Sequence, residues 1–405
     1  MLKVSIIIPT YNRKELFEAA LKSALAQDYE NKEIIISDDN SNDGTRELAQ
    51  SYVAKFDNVK YVLNQTYDRG PNGNKNNGFD HASGDAFVIL DDDDLLIEGA
   101  ISKMAAVLEQ GYASVWANCY FELDGEPTTK FSGFGLNKSG EISPQDYYDG
   151  KITGEFLIMF RRDAIGQRRF EKGLYGSENT LWIYLFDFPA YYLHDAVRIY
   201  RFHRSDSVTI NSFKRPLCIM KGYAMTAELI LQKIAEKNGQ IGVCDEKIGG
   251  RNLNGACGAN LDGTRSISDK NLNADGGDAD AERKILSYVS GTNAQGKNNG
   301  ANLNAKSSGL EAQNKNSDAN LSQKTSADPK FRVNEAYIAI LYKMAAYYAK
   351  FGGEYKKMYE YLFKSLKFKF TKEALAMLIL SPFPKSMILF LTKIRVWIYK
   401  KTHGE

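Results

Sequence analysis

Over its first hundred residues the chain alternates two kinds of segment, and this alternation restricts the fold more than any other feature. Short apolar, β-branched runs (Val4 to Ile8, Ile34 to Ser37, Val59 to Leu63, Phe87 to Leu90) have the length and character of buried parallel strands. Between them Leu16, Ala19, Ala20, Ser23 and Ala24 keep the i, i+3, i+4, i+7, i+8 rhythm of a helix, and Thr45 to Phe56 is a second helical stretch. Strand, helix and strand joined by right-handed crossovers give an α/β sheet whose ligands bind beyond the carboxyl ends of the strands.

The polar chemistry sits at those ends. Asp91-Asp92-Asp93-Asp94 follows Val88-Ile89-Leu90 directly. Adjacent carboxylates repel, so four in a row behind an apolar strand need a cation or strong donors, and an all-oxygen set suits Mg²⁺ or Mn²⁺. A solvated turn uses Asp but seldom four in succession. The turn Pro9-Thr10-Tyr11-Asn12-Arg13 places an aromatic ring among amide and hydroxyl neighbours, where a base can stack. In Ser37-Asp38-Asp39-Asn40-Ser41-Asn42-Asp43-Gly44-Thr45 a carboxylate can accept from the imide N–H of uracil, while Asp43-Gly44 turns sharply into the next helix. The run Arg69-Gly70-Pro71-Asn72-Gly73-Asn74-Lys75-Asn76-Asn77-Gly78 offers close backbone approach, and Arg69 and Lys75 suit a pyrophosphate. Together these pieces describe a site for a nucleoside diphosphate with a bridging divalent metal.

The 405 residues, 43% hydrophobic, suffice for one large or two ordinary domains. Residues 113 to 212 loosen into aromatic and polar strands with Gly-rich turns, and helical spacing returns over 213 to 237 in Leu217, Met220, Tyr223, Ala224, Ala227 and Ile230. Residues 238 to 330 hold a single aromatic, Tyr288, in a background rich in Asn, Gly, Ser and Ala, and are expected to be a disordered low-complexity insertion. Their 11 basic and 11 acidic residues cancel, which argues against a nucleic-acid tail. Residues 331 to 370 read as a helical hairpin turning at Gly352-Gly353. Between Glu373 and Glu405 there is no acid, and residues 341 to 405 carry 13 Lys+Arg against 4 Asp+Glu. The stretch 371 to 405 is therefore expected to meet a membrane interface with its apolar side chains and Lys385, Lys393, Arg395, Lys400 and Lys401. No apolar stretch reaches the ~20 residues of a spanning helix and no secretory h-region opens the chain, so the expected location is the cytoplasmic side. Four cysteines without metal-type spacing read as structural thiols.

The motifs Pro9 to Arg13, Asp38 to Thr45, Lys75 to Gly78 and Leu90 to Asp94, in that order and spacing, resemble the family 2 glycosyltransferases of GT-A fold. The resemblance implies an α/β GT-A catalytic domain over 1–212, nucleotide-binding over 1–112 and acceptor-facing over 113–212, with a mainly parallel central sheet and a C-terminal helical region. It makes Asp91 and Asp93 the Asp-x-Asp pair for Mg²⁺ or Mn²⁺, with Asp92 and Asp94 in support. Thr10, Tyr11, Arg13, Asp38, Asp39, Lys75, Asp91 and Asp92 become contacts of the UDP-sugar. Gly176-Ser177-Glu178-Asn179-Thr180-Leu181-Trp182 is similar to the family's Glu-Asp-x-x-Leu-Trp segment, which gives Glu178 the role of catalytic base while Ser177 replaces the first acid. Tyr200-Arg201-Phe202-His203 is similar to the Tyr-Arg-x-His segment, making His203 a ligand of the metal or diphosphate. The implied reaction is an inverting displacement at the anomeric carbon.

Further runs narrow the resemblance, among them Gly154-Glu155-Phe156, Arg198-Ile199-Tyr200-Arg201 and Tyr342 to Lys350. They resemble family members that add a branching β-glucose in bacterial protein N-glycosylation. That implies UDP-glucose as donor, a GalNAc residue of an undecaprenyl-pyrophosphate-linked oligosaccharide as acceptor, and the inner face of the cell membrane as the place of action. Another donor (UDP-galactose or UDP-GalNAc) is the near alternative, and a non-catalytic sugar-nucleotide-binding module the distant one. A nucleotidyltransferase would need a Gly-rich, Arg-containing loop after the first strand, where this chain has Pro9-Thr10-Tyr11-Asn12, and dinucleotide and P-loop enzymes are disfavoured because neither Gly-x-Gly-x-x-Gly nor a Gly-Lys-Ser/Thr loop follows an early strand.

Overall fold

The computed structural model describes residues 1–123, 125–201, 214–239 and 330–380. The low-complexity run 240–329, His203 and the basic tail from 381 onward lie outside the described residues, so the expectations placed on them are left as stated. The strands are β1 (Val4–Thr10), β2 (Lys32–Asp38), β3 (Val59–Leu63), β4 (Ala86–Ile89), β5 (Leu95–Leu96), β6 (Ser114–Leu123), β7 (Glu126–Phe131), β8 (Gly133–Phe134), β9 (Gly140–Glu141), β10 (Thr153–Gly154), β11 (Phe156–Arg161) and β12 (Ala190–Arg201). One sheet runs in the order β3-β2-β1-β4-β11-β6-β12-β5, with β7 on β6 and β9 on β12. Strands β3, β2, β1 and β4 are mutually parallel, and β12 is parallel to β6, while β11 runs antiparallel between β4 and β6. The sheet is mixed and mainly parallel, as the GT-A resemblance implies.

Strand alternation explains why the first strands are apolar throughout. Ile7, Ile35, Phe87 and Ile89 point into a core with Phe79, Trp116 and Tyr148, and Ile6, Ile8, Ile34, Ile36 and Val88 point into a second core with Phe17, Leu21 and Met104. The crossover helices are α1 (Lys14–Leu25), α2 (Thr45–Val53), α3 (Pro71–His81) and α4 (Ala100–Leu108). Helix α3 lies so close to β1 that a Cβ on Gly78 would overlap the Ile7 side chain, which is why glycine stands there.

One buried carboxylate staples this half together. Glu33 accepts from the Ser5 hydroxyl at 2.6 Å, from the Ser83 amide and hydroxyl, and from Lys60 Nζ at 2.9 Å, with Lys3 at 3.2 Å. Burial works against its charge, but Ser5, Lys60 and Ser83 outweigh it and hold the carboxyl far below the usual range. Because the folded pKa is depressed, this stabilisation is present above the unfolded value and is lost as pH falls through the acid range. Glu33→Gln is expected to cost about 1–3 kcal/mol in urea unfolding at pH 7, a deficit that shrinks as the pH is lowered below 4.

Short helices α5 (Pro144–Tyr148), α6 (Arg162–Ile165) and α7 (Asn179–Trp182) join the later strands, followed by α8 (Pro216–Lys237), α9 (Glu335–Phe351), α10 (Tyr355–Phe368) and α11 (Lys372–Leu380). Ala227, Ile230 and Ile234 of α8 and Ile338, Leu341 and Tyr342 of α9 join the core that holds Phe79 and Trp116. The Asn238 side-chain amide donates to Phe331 O and accepts from Phe331 N, both at 2.8 Å. That clamp joins the two ends of the long insertion, so the fold closes across it with two hydrogen bonds; extra loop length costs little once closure is made.

Candidate active site

The site is assembled where β1, β2 and β4 end. Thr10 lies opposite Asp38 in the parallel register, and Asp39 N donates to Thr10 O at 3.1 Å. Asp38 Oδ1 accepts from Ser41 N at 2.9 Å and Ser41 Oγ at 2.6 Å, and Oδ2 accepts from the Tyr61 hydroxyl at 2.7 Å. Ser41 Oγ in turn accepts from Asn12 N, and Asn42 N donates to Asn12 Oδ1, which laces the first two turns together around the left-handed Asn12. Asp43 accepts from Lys14 N and from Thr45 N and Oγ1, so it tethers the start of α1 and of α2. Asp39 is buried, accepting from Asn64 Nδ2 and Gly70 N, each at 2.6 Å; burial pushes its pKa up while those bonds oppose the rise. Tyr11, 49% exposed, stands at the rim of the turn, and Arg69 is exposed near Asp39.

The acid quartet divides by alternation. Asp91 and Asp93 are partly exposed, and Asp92 and Asp94 are buried. Arg13 Nη1 lies between Asp92 at 2.8 Å and Asp93 at 3.1 Å. Burial drives the Asp92 carboxyl up to about 7 against the pull of Arg13, with Asp93 adding to the rise. Asp94 meets buried Arg198 at 3.0 Å and accepts from Arg201 N at 3.1 Å. Lys75 is buried, and its Nζ touches both Asp91 Oδ1 and Glu178 Oε1 at 3.1 Å. Burial disfavours the ammonium, but Asp91 and Glu178 overcome that and hold Lys75 above its ordinary value. Lys75 and Arg198 likewise outweigh burial at Asp91 and hold it below the carboxylate range. Lys75 is thus a strut between the acid quartet and the carboxylate of the Ser177-Glu178 segment.

The asparagines of α3 fix that strut. Asn72 donates to Gly176 O and accepts from Gly176 N, both at 2.9 Å, and Asn76 makes the same pair of bonds with Phe170. Asn74 donates to Thr10 O, and Asn77 donates to Ser37 Oγ. The loop that carries Glu178 is therefore bolted to the helix that carries Lys75, at a point where Ser177 is left-handed (φ 63°). Asn72→Asp replaces a donor by an acceptor facing the Gly176 carbonyl. It is expected to lower kcat roughly ten-fold with little change in nucleotide affinity, in steady-state assays with calorimetry alongside.

Among the described residues no group of three or more His, Cys, Asp or Glu forms a metal cage. The donor set nonetheless fits a hard divalent ion shared between protein and substrate, since Mg²⁺ is commonly held by one or two carboxylates plus phosphate oxygens. Asp91 and Asp93 would supply the two carboxylates, and the cations beside them, Lys75 and Arg13, mark where positive charge is favoured.

Sequence reading did not single out three contributors. Glu155, at the start of β11, and Arg198, on β12, were noted only as parts of longer runs, because their nearness to the quartet comes from sheet register across distant strands. The α3 asparagines were read only as part of a run allowing close backbone approach; the signal of their role was the i, i+4 spacing at 72 and 76.

Comparison with known proteins gives the family of the chain. The profile of "Glycosyl transferase family 2" matches residues 5–169. The GalNAc(5)-diNAcBac-PP-undecaprenol beta-1,3-glucosyltransferase of Campylobacter jejuni is 36% identical over 400 residues, covering 99% of this chain and 100% of that protein. The UDP-Glc:alpha-D-GlcNAc-diphosphoundecaprenol beta-1,3-glucosyltransferase WfgD of Escherichia coli is 31% identical over 116 residues, 28% of this chain and 45% of that one. Staphylococcus aureus TarS 1-349 in complex with UDP-GlcNAc superimposes with a TM-score of 0.45 at 19% identity, over 58% of this chain and 74% of that one. The chain belongs to the family 2 glycosyltransferases. It is a glycosyltransferase of GT-A architecture with appended C-terminal helices.

Proposed function

We propose that the protein transfers glucose from UDP-glucose, with inversion, to a GalNAc residue of an undecaprenyl-pyrophosphate-linked oligosaccharide, the branching step of a bacterial N-glycan. The observation that carries the chemistry is the Lys75 strut, which couples an acid of the quartet to Glu178. The choice of donor and acceptor is supported by the full-length similarity to the Campylobacter jejuni enzyme. In this reading Tyr11 and Asp39 hold the base, with Asp38 and Thr10 shaping the floor, and Arg13, Lys75 and Asp92 frame the diphosphate. Asp91 and Asp93, with His203 as the family resemblance implies, would hold Mg²⁺ or Mn²⁺, which when bound would neutralise charge on the departing UDP. Glu178 takes the proton of the acceptor hydroxyl as its oxygen bonds to the anomeric carbon and the bond to the diphosphate oxygen breaks.

Incubating the purified protein with UDP-glucose, UDP-galactose or UDP-GalNAc, Mn²⁺ and the lipid-linked oligosaccharide, then weighing the glycan, tests this. A hexose increment from UDP-glucose with release of UDP supports it; an increment from another donor only, or none, overturns it.

The same reading places the enzyme on the inner face of the cell membrane. No helix among the described residues is long and apolar enough to cross a membrane. Phe363, Phe370 and Ile379 are at least 60% exposed, in the same C-terminal stretch as the exposed Lys367, Lys369 and Lys372. Each lysine near an anionic surface contributes about 1 kcal/mol. The full chain is expected to float with phosphatidylglycerol vesicles at low salt, and Lys367→Glu with Lys369→Glu to lower that binding roughly ten-fold or more.

A further inference from the structure

One carboxylate in the cleft has no part in the chemistry described so far. Glu155 immediately precedes β11, which borders β4 on the side away from the nucleotide-binding strands β1 and β2, and the charges of Arg198, Glu178, Asp91 and Lys75 act on it. Its backbone is pinned from the neighbouring chain: Glu155 N donates to Ser132 O at 3.1 Å, and Ser132 Oγ donates to Glu155 O at 2.7 Å. The preceding Gly154 is left-handed (φ 88°), and a Cβ there would overlap Ser132 O, so the chain has given up a side chain to bring Glu155 to this position. The side chain is half-exposed, and its one ion-pair partner among the described residues is Arg198 Nη2, at 3.7 Å. That is beyond hydrogen-bond reach, and Nη2 is itself buried with no acceptor among the described residues. A fixed, buried guanidinium thus aims an unsatisfied donor toward a carboxylate whose own acceptor capacity is unspent. A ligand bringing hydroxyl groups, each both donor and acceptor, would satisfy both.

We infer that Glu155, backed by Arg198, is an acceptor-sugar subsite: its carboxylate accepts from a hydroxyl of the incoming acceptor next to the one that Glu178 deprotonates. The inference rests on the transferase reading above and assigns to β11 a specificity role in it. The placement favours the acceptor over the base, because the base contacts come from β1 and β2, on the far side of β4, while Glu155 lies on the β11 side together with the charge of Glu178. It also offers a spatial answer to the serine at position 177. Where the family segment has two successive acids, this chain has one at Glu178 and brings a second into the same cleft from another strand.

The test is steady-state kinetics of Glu155→Gln and Glu155→Ala with UDP-glucose, Mn²⁺ and the lipid-linked oligosaccharide, with UDP binding followed by calorimetry. Loss of a hydrogen bond to a charged group is expected to raise the acceptor KM roughly ten- to hundred-fold, with UDP affinity and donor KM unchanged. Gln keeps the shape at a half-exposed position and fits the fold. An acceptor lacking the neighbouring hydroxyl should cost the wild type that same factor and cost Glu155→Gln almost nothing. Unchanged acceptor KM in both variants overturns the inference, as does a loss of UDP binding that matches the loss of turnover. A wild-type enzyme inactive with every UDP-sugar and acceptor overturns the transferase reading itself, and the Glu155 inference with it.

Discussion

Glu178→Gln is expected to lower kcat by roughly 10²–10⁴-fold while leaving UDP-glucose affinity within about two-fold of wild type. The variant keeps side-chain length and an oxygen that Lys75 Nζ, now 3.1 Å from Glu178, can still reach. It removes the proton-accepting charge, and a loss confined to kcat is the mark of an interaction needed only in the transition state. Glu178→Asp separates position from charge. It restores the charge one methylene short, from a loop held by the reciprocal Asn72–Gly176 bonds, and should recover part of the rate. Single-turnover quench experiments with saturating donor give the chemical step directly. If the Gln variant turned over at the wild-type rate, Glu178 would be a counter-ion of Lys75 and the base would have to be sought elsewhere in the cleft. A binding module without catalysis makes the opposite forecast, with neither variant altering a rate that the wild type does not have.

The parallel half of the fold was legible because its strands are buried on both faces. Ile6 to Ile8 and Ile34 to Ile36 show as unbroken apolar runs, and polar turns mark their carboxyl ends. Helix α9 begins at Glu335, where the apolar spacing that starts at Tyr337 takes hold, and α8 begins at Pro216, which opens helices readily. Strands β6 to β12 were less legible: β11 is antiparallel and wedged between β4 and β6, pairings that join residues far apart in sequence, such as Met159 with Val88 and Phe160 with Ser114. At the site, strand-end turns revealed which residues gather, but not how their charges are spent. Asp38 and Asp39 are adjacent acids in the sequence, yet Asp38 has both oxygens engaged in turn bonds and Tyr61, while Asp39 joins Asn64 to Gly70 N. Lys75 looked like a diphosphate contact, and in the folded chain it bridges Asp91 and Glu178. Both distinctions depend on partners from separate elements, which no local pattern encodes.

Replacing Asp91 and Asp93 together by Asn should reduce kcat/KM by about 10³-fold and abolish the response of turnover to EDTA and Mn²⁺. The physical argument turns on what those two carboxylates do now. Asp91 is ion-paired with Lys75 and Asp93 with Arg13, so each has a cation that would account for it as a purely structural charge. A structural role and a metal role part company in a double-mutant cycle. If Asp91 served only to neutralise Lys75, then Lys75→Met combined with Asp91→Asn would remove both charges of the pair and recover much of what either single change loses. If Asp91 binds a divalent ion at the diphosphate, removing Lys75 cannot restore the ligand, and the double variant stays at the level of Asp91→Asn or below. Mn²⁺ titration of UDP binding supplies a readout free of chemistry: the wild type should bind UDP more tightly with Mn²⁺, and the Asn pair should not. EDTA-sensitive turnover persisting undiminished in that pair would remove the quartet from the metal site and leave it a charged turn.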